Sequence, residues 1–231
     1  TTILPHLEEK NLHIQLDYEL TPVHEDNRSA VSKVVSVYQC HSTPGCPRSF
    51  TALDSPSGRR LGTTLAATDY EHVFLISTEQ TEPGWIGAGY SLPGAWYGLS
   101  EFETLAPNSG SPFAYERKGV RSSASLSWAT DGLSNTILVV EKAGQQNNHP
   151  TNLGGATKID RGGAWVQGEC GALAKHGINQ SNFSGMFSFH SQGAQAVMCD
   201  GSARFLSEDI ELDVFVNLCS RSGHDTLPEE Q

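Results

Sequence analysis

Basic residues are scarce in this chain, and charged residues of either sign are few. Lysine and arginine number 15 against 26 aspartates and glutamates, so the formal net charge is −11, and charged residues make up only 18% of the sequence. A protein that binds a nucleic-acid backbone needs clustered basic residues, and no such cluster is visible. The composition therefore argues against nucleic acid as a partner, and the acidic balance disfavours binding to anionic lipid.

Short motifs that would identify an enzyme are also missing. The sequence has no Gly-x-Ser-x-Gly elbow, no His-Glu-x-x-His, no Cys-x-x-Cys pair and no glycine-rich phosphate loop. The histidines are scattered singly along the chain. We therefore expect a protein that is not an enzyme and that holds no cofactor, with calcium as the one exception to test.

The five cysteines leave at least one thiol without an intramolecular disulfide. Cys40 and Cys46 flank a short loop with a Pro-Gly turn, so a disulfide between them is plausible in an oxidising compartment. Spacing does not decide between this bridge and two separate thiols. Cys199 and Cys219 flank apolar runs, and we expect them to pack as small core residues.

Glycine is abundant at 23 residues, which favours short strands and many turns. The apolar run at residues 137–140 predicts a central strand covered on both faces. β-Branched and aromatic residues predict another strand over residues 34–40. Alternating phenylalanines over residues 187–190 predict a strand with one buried face.

Three short helices are predicted. The first covers residues 7–14, and the second begins at Asn27, which can cap it. Apolar residues at helical spacing between 212 and 219 predict the third, with Asp209 as its N-cap.

The strongest local signal is Asp200-Gly201, which lies between apolar runs at residues 197–199 and 203–206. Both central residues of a two-residue type I′ turn need positive φ, and Asp-Gly supplies them readily. This segment therefore predicts a β-hairpin with a type I′ turn.

Polar residues near the hairpin admit both structural and chemical interpretations. His190 and Asp200 are able to share a proton or a cation. We favour structural roles: Asp200 caps its own turn, and His190 donates a hydrogen bond that ties its strand to the hairpin. Asp131-Gly132 predicts another turn, and Asn135 can bond to nearby backbone and hold the start of the next strand.

Four stretches, in order, resemble segments of one protein family. They are Ile3-Leu-Pro-His-Leu-Glu-Glu-Lys-Asn-Leu12, Val37-Tyr-Gln-Cys40, Thr130-Asp-Gly-Leu-Ser-Asn-Thr-Ile-Leu138 with Glu141, and His190 followed by nine residues and Asp200-Gly201. The family they resemble is large, of unassigned function, expanded mainly in Planctomycetes, and marked by a His-nine-Asp-Gly signature. Its members are similar to type IV pilins and type II secretion pseudopilins, with a prepilin-type leader and a hydrophobic N-terminal helix.

The resemblance implies an α+β fold, a pilin-like head with an antiparallel sheet, few short helices and long Gly/Pro-rich loops. It implies one domain over residues 1–231, with loop-rich insertions at 81–112 and 144–184. It also implies a non-catalytic structural or interaction component in the periplasm, on the cell surface or in an extracellular filament. Its partners would be pilin-like subunits or cell-envelope proteins. The hydrophobic helix is not in this sequence, and we expect an anchoring segment to have preceded Thr1, through which alone the chain would contact a membrane.

Calcium is the metal that the resemblance to pseudopilins implies, because those proteins hold it in C-terminal loops. Asp131, Asp200 and Asp209 carry oxygen ligands that suit this ion. A metal-dependent hydrolase is a third interpretation, and it would require His190 and Asp200 to converge in an open cleft.

A ligand-binding module for a carbohydrate or another solute is the alternative function. It would be built on the aromatic loop at residues 85–102, which carries Trp85, Tyr90, Trp96 and Tyr97. We favour the interpretation that the same aromatic residues cover the sheet, because each buries a large apolar area.

Overall fold

The helices of this protein are short. The computed structural model describes residues 3–20, 24–54, 59–76, 126–145, 147–148, 157–158, 163–166, 172–174, 177–182 and 185–219. Its α-helices are α1 (Lys10–Gln15), α2 (Arg28–Val31) and α3 (Leu212–Cys219). Single 3-10 turns occur at Leu4–Leu7, Glu25–Asn27, Ser36–Tyr38, Leu126–Trp128 and Leu133–Asn135. Within the described ranges, no helix has the length and apolar character needed to cross a membrane.

The strands form one large sheet and two small ones. They are β1 (Ser49–Asp54), β2 (Arg59–Ala66), β3 (Tyr70–Ile76), β4 (Ile137–Glu141), β5 (Asn147–Asn148), β6 (Thr157–Lys158), β7 (Ala172–Ala174), β8 (Gly193–Met198) and β9 (Ala203–Ser207). The large sheet has the order β7-β3-β4-β8-β9, while β1 pairs with β2 and β5 with β6. Every pairing is antiparallel except β3 with β7. The predicted α+β class is confirmed, with one parallel strand added at an edge.

Strand β4 is the central strand that its apolar run predicts. It pairs with β3 on one side and β8 on the other. Ile137 and Val140 are fully buried, whereas Leu138 and Val139 are half-buried. Leu138 and Val139 are consecutive and point to opposite faces, so it is the middle of β4, on both faces, that is covered less completely than the run suggests.

Two large hydrophobic clusters stabilise the described structure, and Ala129, Cys199 and Leu138 form a third, small one. The C-terminal cluster lies between α3 and the large sheet, and comprises Ile137, Val140, Ile178, Met186, Ala194, Ala196, Met198, Leu206, Phe215, Val216, Leu218 and Cys219. The N-terminal cluster lies around the first helices and β2, and comprises Leu4, Leu12, Leu16, Ala30, Val31, Val35, Leu65, Ala66, Ala164, Trp165 and Val166. Full burial of one large aliphatic or aromatic side chain stabilises a fold by about 1.5–3 kcal/mol.

The first predicted helix is interrupted. The chain leaves the Leu4–Leu7 turn through Glu8, which has a left-handed φ of 64°, and α1 then begins at Lys10. Because Glu9 N–H donates to the Leu4 carbonyl at 3.0 Å, the break satisfies a carbonyl that the helix end would leave unpaired.

Asn27 does not cap the second helix with its side chain, so that prediction was wrong. Its Oδ1 instead accepts from the Asp17 N–H at 2.8 Å, and its Nδ2 donates to the Asp17 carbonyl at 2.9 Å. The buried amide of Asn27 therefore joins the segment after α1 to the segment before α2.

The strand predicted over residues 34–40 was also wrong, because Ser36–Tyr38 forms a 3-10 turn. Its β-branched residues are not a buried row: Val35 is buried, but Val34 and Val37 are 41% and 54% exposed. Strand propensity mainly reflects packing on a half-buried sheet, and no neighbouring strand is paired with this segment in the described structure.

The hairpin predicted at Asp200-Gly201 is present as β8 and β9, but its turn is not type I′. Val197 pairs with Ala203, and Gly201 N–H donates to the Met198 carbonyl at 3.0 Å. Only Gly201 has a positive φ, at 84°, whereas type I′ needs two such residues. The connection is therefore a tight turn completed by one left-handed glycine.

The phenylalanine segment at 187–190 does not form the predicted strand. Phe187 makes a single parallel bridge with Lys142. Beyond it, the fully buried Ser188 donates two hydrogen bonds: its backbone N–H donates to Asn179 Oδ1 at 2.8 Å, and its Oγ donates to the Gly193 carbonyl at 2.6 Å. In this segment, hydrogen bonds that involve side chains replace the backbone hydrogen bonds that a paired strand would make.

Asp209 is not the N-cap of α3, because the helix begins three residues later at Leu212. The Asp209 N–H donates to Ser207 Oγ at 3.2 Å, within a turn that leaves β9. The apolar spacing predicted α3 correctly, and only the residue at which the helix begins was predicted wrongly.

Candidate functional site

Three side chains of metal-binding type meet where the N-terminal part of the chain contacts the large sheet. Cys40 follows the Ser36–Tyr38 turn, Glu141 ends β4, and His190 lies shortly before β8. His190 Nε2 lies 3.4 Å from Cys40 Sγ and 3.3 Å from Glu141 Oε1. The three ligand atoms all lie within 4.8 Å of one another. We refer to these residues as the Cys–Glu–His cluster.

Glu141 is the most deeply buried member of the cluster, with a side chain that is 0% exposed. Its Oε2 accepts from the Gln195 N–H of β8 at 2.6 Å. Its Oε1 has no hydrogen-bond partner, although His190 Nε2 is nearby. A buried carboxylate oxygen without a partner costs free energy, so this atom calls for an explanation.

His190 lies at the surface end of the cluster, with a side chain that is 33% exposed. Its Nδ1 lies 3.3 Å from Ser42 Oγ, and its backbone N–H donates to Ser188 Oγ at 3.1 Å. The imidazole is thus contacted at both ring nitrogens, Nδ1 by Ser42 and Nε2 by the buried thiol and carboxylate. Its exposed edge gives the cluster access to solvent.

Cys40 presents a protonated thiol in this environment. Burial raises the pKa of Cys40 above its ordinary value, and the neighbouring Glu141 carboxylate adds to the rise, while hydrogen bonds from Ser42 oppose it. Burial likewise raises the pKa of Tyr70, whose hydroxyl hydrogen-bonds the Cys40 thiol. A nucleophilic cysteine needs a lowered pKa, so this setting does not suit covalent catalysis.

The buried carboxylate of Asp69 fixes the position of the Cys40 backbone. The Asp69 side chain is 0% exposed, and its Oδ2 accepts from the Cys40 N–H at 2.8 Å. Its Oδ1 accepts from the Gly144 N–H at 3.0 Å and forms an ion pair with the guanidinium of Arg48. One carboxylate therefore joins the Cys40 loop to the residues that directly follow Glu141.

Gln39 holds the same loop from its other side. Its Nε2 donates to the carbonyls of Arg48 and Ala67 at 2.9 and 3.0 Å, and its Oε1 accepts from the Arg48 N–H at 2.8 Å. Gln39 is only 3% exposed, so these bonds are shielded from water. They close the loop that carries Cys40 without a covalent link.

The proposed disulfide between Cys40 and Cys46 is not formed, and both residues are free thiols. The two sulfurs face different partners: Cys40 Sγ faces His190, whereas Cys46 Sγ donates to Gln39 Oε1 at 3.4 Å. The polar contacts of Gln39 and Asp69 stabilise the loop in place of a bridge.

The His190 ring, which we expected to donate a hydrogen bond to the hairpin, instead contacts Cys40 and Ser42 in the N-terminal part of the chain and Glu141 at the end of β4. The six residues of β8 separate His190 from Asp200, a distance of about 20 Å at the usual rise of a strand. His190 and Asp200 therefore do not converge on one cleft. The Asp200 carboxylate caps its own turn, where Oδ1 accepts from the N–H and Oγ of Ser202 at 2.8 and 2.6 Å.

The hairpin turn docks on the Asp131–Thr136 segment rather than on His190. Asp200 N–H donates to the Leu133 carbonyl at 3.1 Å, and Cys199 N–H donates to the Thr136 carbonyl at 2.8 Å. Gly132 has a φ of 103°, and Asn135 Nδ2 makes a long contact of 3.4 Å with the Asp131 carbonyl. Two of the stretches that resemble the family therefore form one structural unit.

The aspartates suggested for calcium are not brought together. Within the described ranges, the only group of three or more His, Cys, Asp or Glu side chains with ligand atoms this close is the Cys–Glu–His cluster. Asp200 and Asp209 are exposed, and Asp131 is half-buried. The aromatic loop with Trp85, Tyr90, Trp96 and Tyr97 lies outside the described residues.

Sequence reasoning singled out Cys40 and His190 for other roles and missed Glu141 as their partner. The available signal was a charged residue ending an apolar central strand, a position where a carboxylate is buried only at a cost. The distance between the three residues along the chain concealed the cluster, because only the sheet register brings Glu141 beside His190.

Comparison with known proteins gives one family. A family model described as a protein of unknown function (DUF1559, short name SBP_bac_10) matches residues 1–213. No curated protein gives a significant match. No solved structure gives a significant match.

Proposed function

The chain belongs to the DUF1559 family, and from this premise we propose that it is a non-catalytic structural or interaction domain of the pilin-like or pseudopilin type. The proposal places it outside the cytoplasm, in contact with other pilin-like subunits or cell-envelope proteins. Its α+β architecture, with a mainly antiparallel sheet and short helices, is compatible with such a head domain.

One observation carries the proposal: an exposed apolar surface at an edge of the large sheet. Strand β9 lies at this edge of the described sheet, and Phe205 on it is 48% exposed. On the adjacent strand β8, Val197 points to the same face and is 36% exposed. An edge strand with exposed apolar side chains offers both backbone groups and apolar area to a partner.

The roles of Asp200 and Gly201 within the signature also support a structural function. The Asp200-Gly201 turn docks on the Leu133–Asn135 segment through backbone hydrogen bonds, and the Asp200 carboxylate is occupied by its own turn. These residues organise the fold around β4 and β8 instead of lining a cleft.

Photocrosslinking in the native host tests this proposal. A photoreactive residue at Phe205 should yield adducts with envelope proteins or with further copies of the chain, and the protein should fractionate outside the cytoplasm. The same residue at Ile14, which is 69% exposed on α1, is the matched control and should give few adducts. A cytoplasmic protein, or equal adducts from both positions, would contradict the proposal.

A further inference from the structure

We propose that Cys40, Glu141 and His190 bind a divalent transition metal, with zinc as the ion that best fits the three donors. The ligand set combines a sulfur, an imidazole nitrogen and a carboxylate oxygen. Zinc accepts all three, whereas calcium and magnesium select oxygen ligands. This site is separate from the exposed edge at β9 and does not depend on the function proposed for it.

The spacing of the donor atoms matches a tetrahedral ion. With zinc bonds of about 2.3 Å to sulfur and about 2.0–2.1 Å to nitrogen and oxygen, a tetrahedral angle separates sulfur from nitrogen by about 3.5 Å and nitrogen from oxygen by about 3.4 Å. The observed separations are 3.4 Å from His190 Nε2 to Cys40 Sγ and 3.3 Å from His190 Nε2 to Glu141 Oε1. Two of the three donor separations thus already match those that a shared ion requires, and the third, between Cys40 Sγ and Glu141 Oε1, is within 4.8 Å.

The second, independent observation is the unpartnered oxygen of Glu141. Oε1 belongs to a fully buried side chain and makes no hydrogen bond, while Oε2 of the same carboxylate is satisfied by the Gln195 N–H. A cation between Oε1, Nε2 and Sγ supplies the missing interaction. Binding of the ion displaces the Cys40 thiol proton to solvent, and the two positive charges of the ion then balance the thiolate and the carboxylate, which lowers the cost of burying them.

The surroundings are those of a supported metal site. Ser42 Oγ lies 3.3 Å from His190 Nδ1, so it can accept the Nδ1 proton and leave Nε2 free to bind metal. Asp69 holds the Cys40 backbone and Gln195 holds the Glu141 carboxylate. The partly exposed ring of His190 provides an entry path for the ion.

Cobalt(II) is the probe that tests the site, because a thiolate ligand gives cobalt a charge-transfer band in the near ultraviolet. Untagged protein is first freed of metal by dialysis against a chelator, and cobalt is then titrated. The wild-type chain should show the band, saturate at one cobalt per chain and lose the band when zinc is added. A wild-type protein with no such band overturns the proposal.

Cys46 offers a matched control in the same loop, since its thiol faces Gln39 and not the cluster. Cys40→Ser should remove the band and weaken cobalt binding by at least about 100-fold, while Cys46→Ser should leave both unchanged. Glu141→Gln should weaken binding by at least about tenfold while keeping an oxygen for the Gln195 N–H. Circular dichroism of the metal-free variants checks that each is folded. Loss of the band in Cys46→Ser but not in Cys40→Ser would assign the metal elsewhere.

Discussion

Asp69 has no exposed side-chain surface, and its carboxylate accepts hydrogen bonds from the Cys40 and Gly144 backbones while it pairs with Arg48. A neutral amide cannot replace these interactions, since it has one oxygen and removes the negative charge opposite the guanidinium. Asp69 therefore contributes both to the stability of the fold and to the position of Cys40 in the Cys–Glu–His cluster.

We predict that Asp69→Asn destabilises the fold by about 3–5 kcal/mol, the range for removing one partner of a buried pair. In a domain of this size, the midpoint of thermal unfolding should fall by roughly 6–20 °C. Asp26→Asn is the control, because the Asp26 side chain is 69% exposed, and it should change stability by less than about 0.5 kcal/mol. Equal shifts for the two variants, measured by circular dichroism, would show that the buried carboxylate contributes little.

At the scale of elements, glycine is needed at opposite ends of the β8–β9 hairpin for two different physical reasons. Gly201 has a φ of 84°, but a Cβ added there meets no atom within 4 Å. Gly193 lies in β8, where a Cβ would approach the Leu206 carbonyl oxygen to 2.1 Å and the Phe205 ring to 2.7 Å. The first glycine is required by backbone conformation, and the second by the closeness of β9.

We predict that Gly201→Ala costs about 1–2 kcal/mol, the strain of a left-handed residue with a side chain, and that Gly201→Asn costs less. Gly193→Ala should cost more than Gly201→Ala, because backbone rather than a flexible side chain occupies the space. Thermal unfolding of the three variants ranks them by their loss of stability. A Gly193→Ala protein as stable as wild type would mean that β8 and β9 separate easily.

The elements also show what local sequence can and cannot predict. Asp200-Gly201 predicted the hairpin, because the need for a left-handed residue is local. The turn type was missed, because Cys199 and Asp200 are held by carbonyls of Leu133 and Thr136, some 65 positions earlier along the chain by sequence number. Distant contacts also explain why residues 34–40 do not form the predicted strand. The buried hydrogen bonds of Gln39 with Arg48 and Ala67 outweigh the strand preference of the valines in this segment.

At the scale of the whole molecule, the Cys–Glu–His cluster lies between the two large hydrophobic clusters. Cys40 comes from the segment next to the N-terminal cluster, which includes Val35. Glu141 follows Val140 of the C-terminal cluster. A metal held by all three residues would link the two cores, and a ligand that binds only the folded state stabilises it by about 4 kcal/mol at a thousand times its dissociation constant.

We predict that zinc slows hydrogen exchange at β2 and at β8 together, since each strand packs in a different core. Cys40→Ser should abolish the effect at both strands, whereas Cys46→Ser should retain it. Protection confined to one strand would mean that the metal stabilises a single core and does not join them.

Cys40 and His190 are 150 positions apart in the chain. Closing a loop of that length carries an entropic cost that short-range contacts avoid, so the hairpin at Asp200-Gly201 can form long before this pair meets. During synthesis, the Cys40 thiol lacks its histidine partner until 150 further residues have been added. The meeting of Cys40 with His190 is therefore a late event, and a spectroscopic signal from it would time the completion of folding.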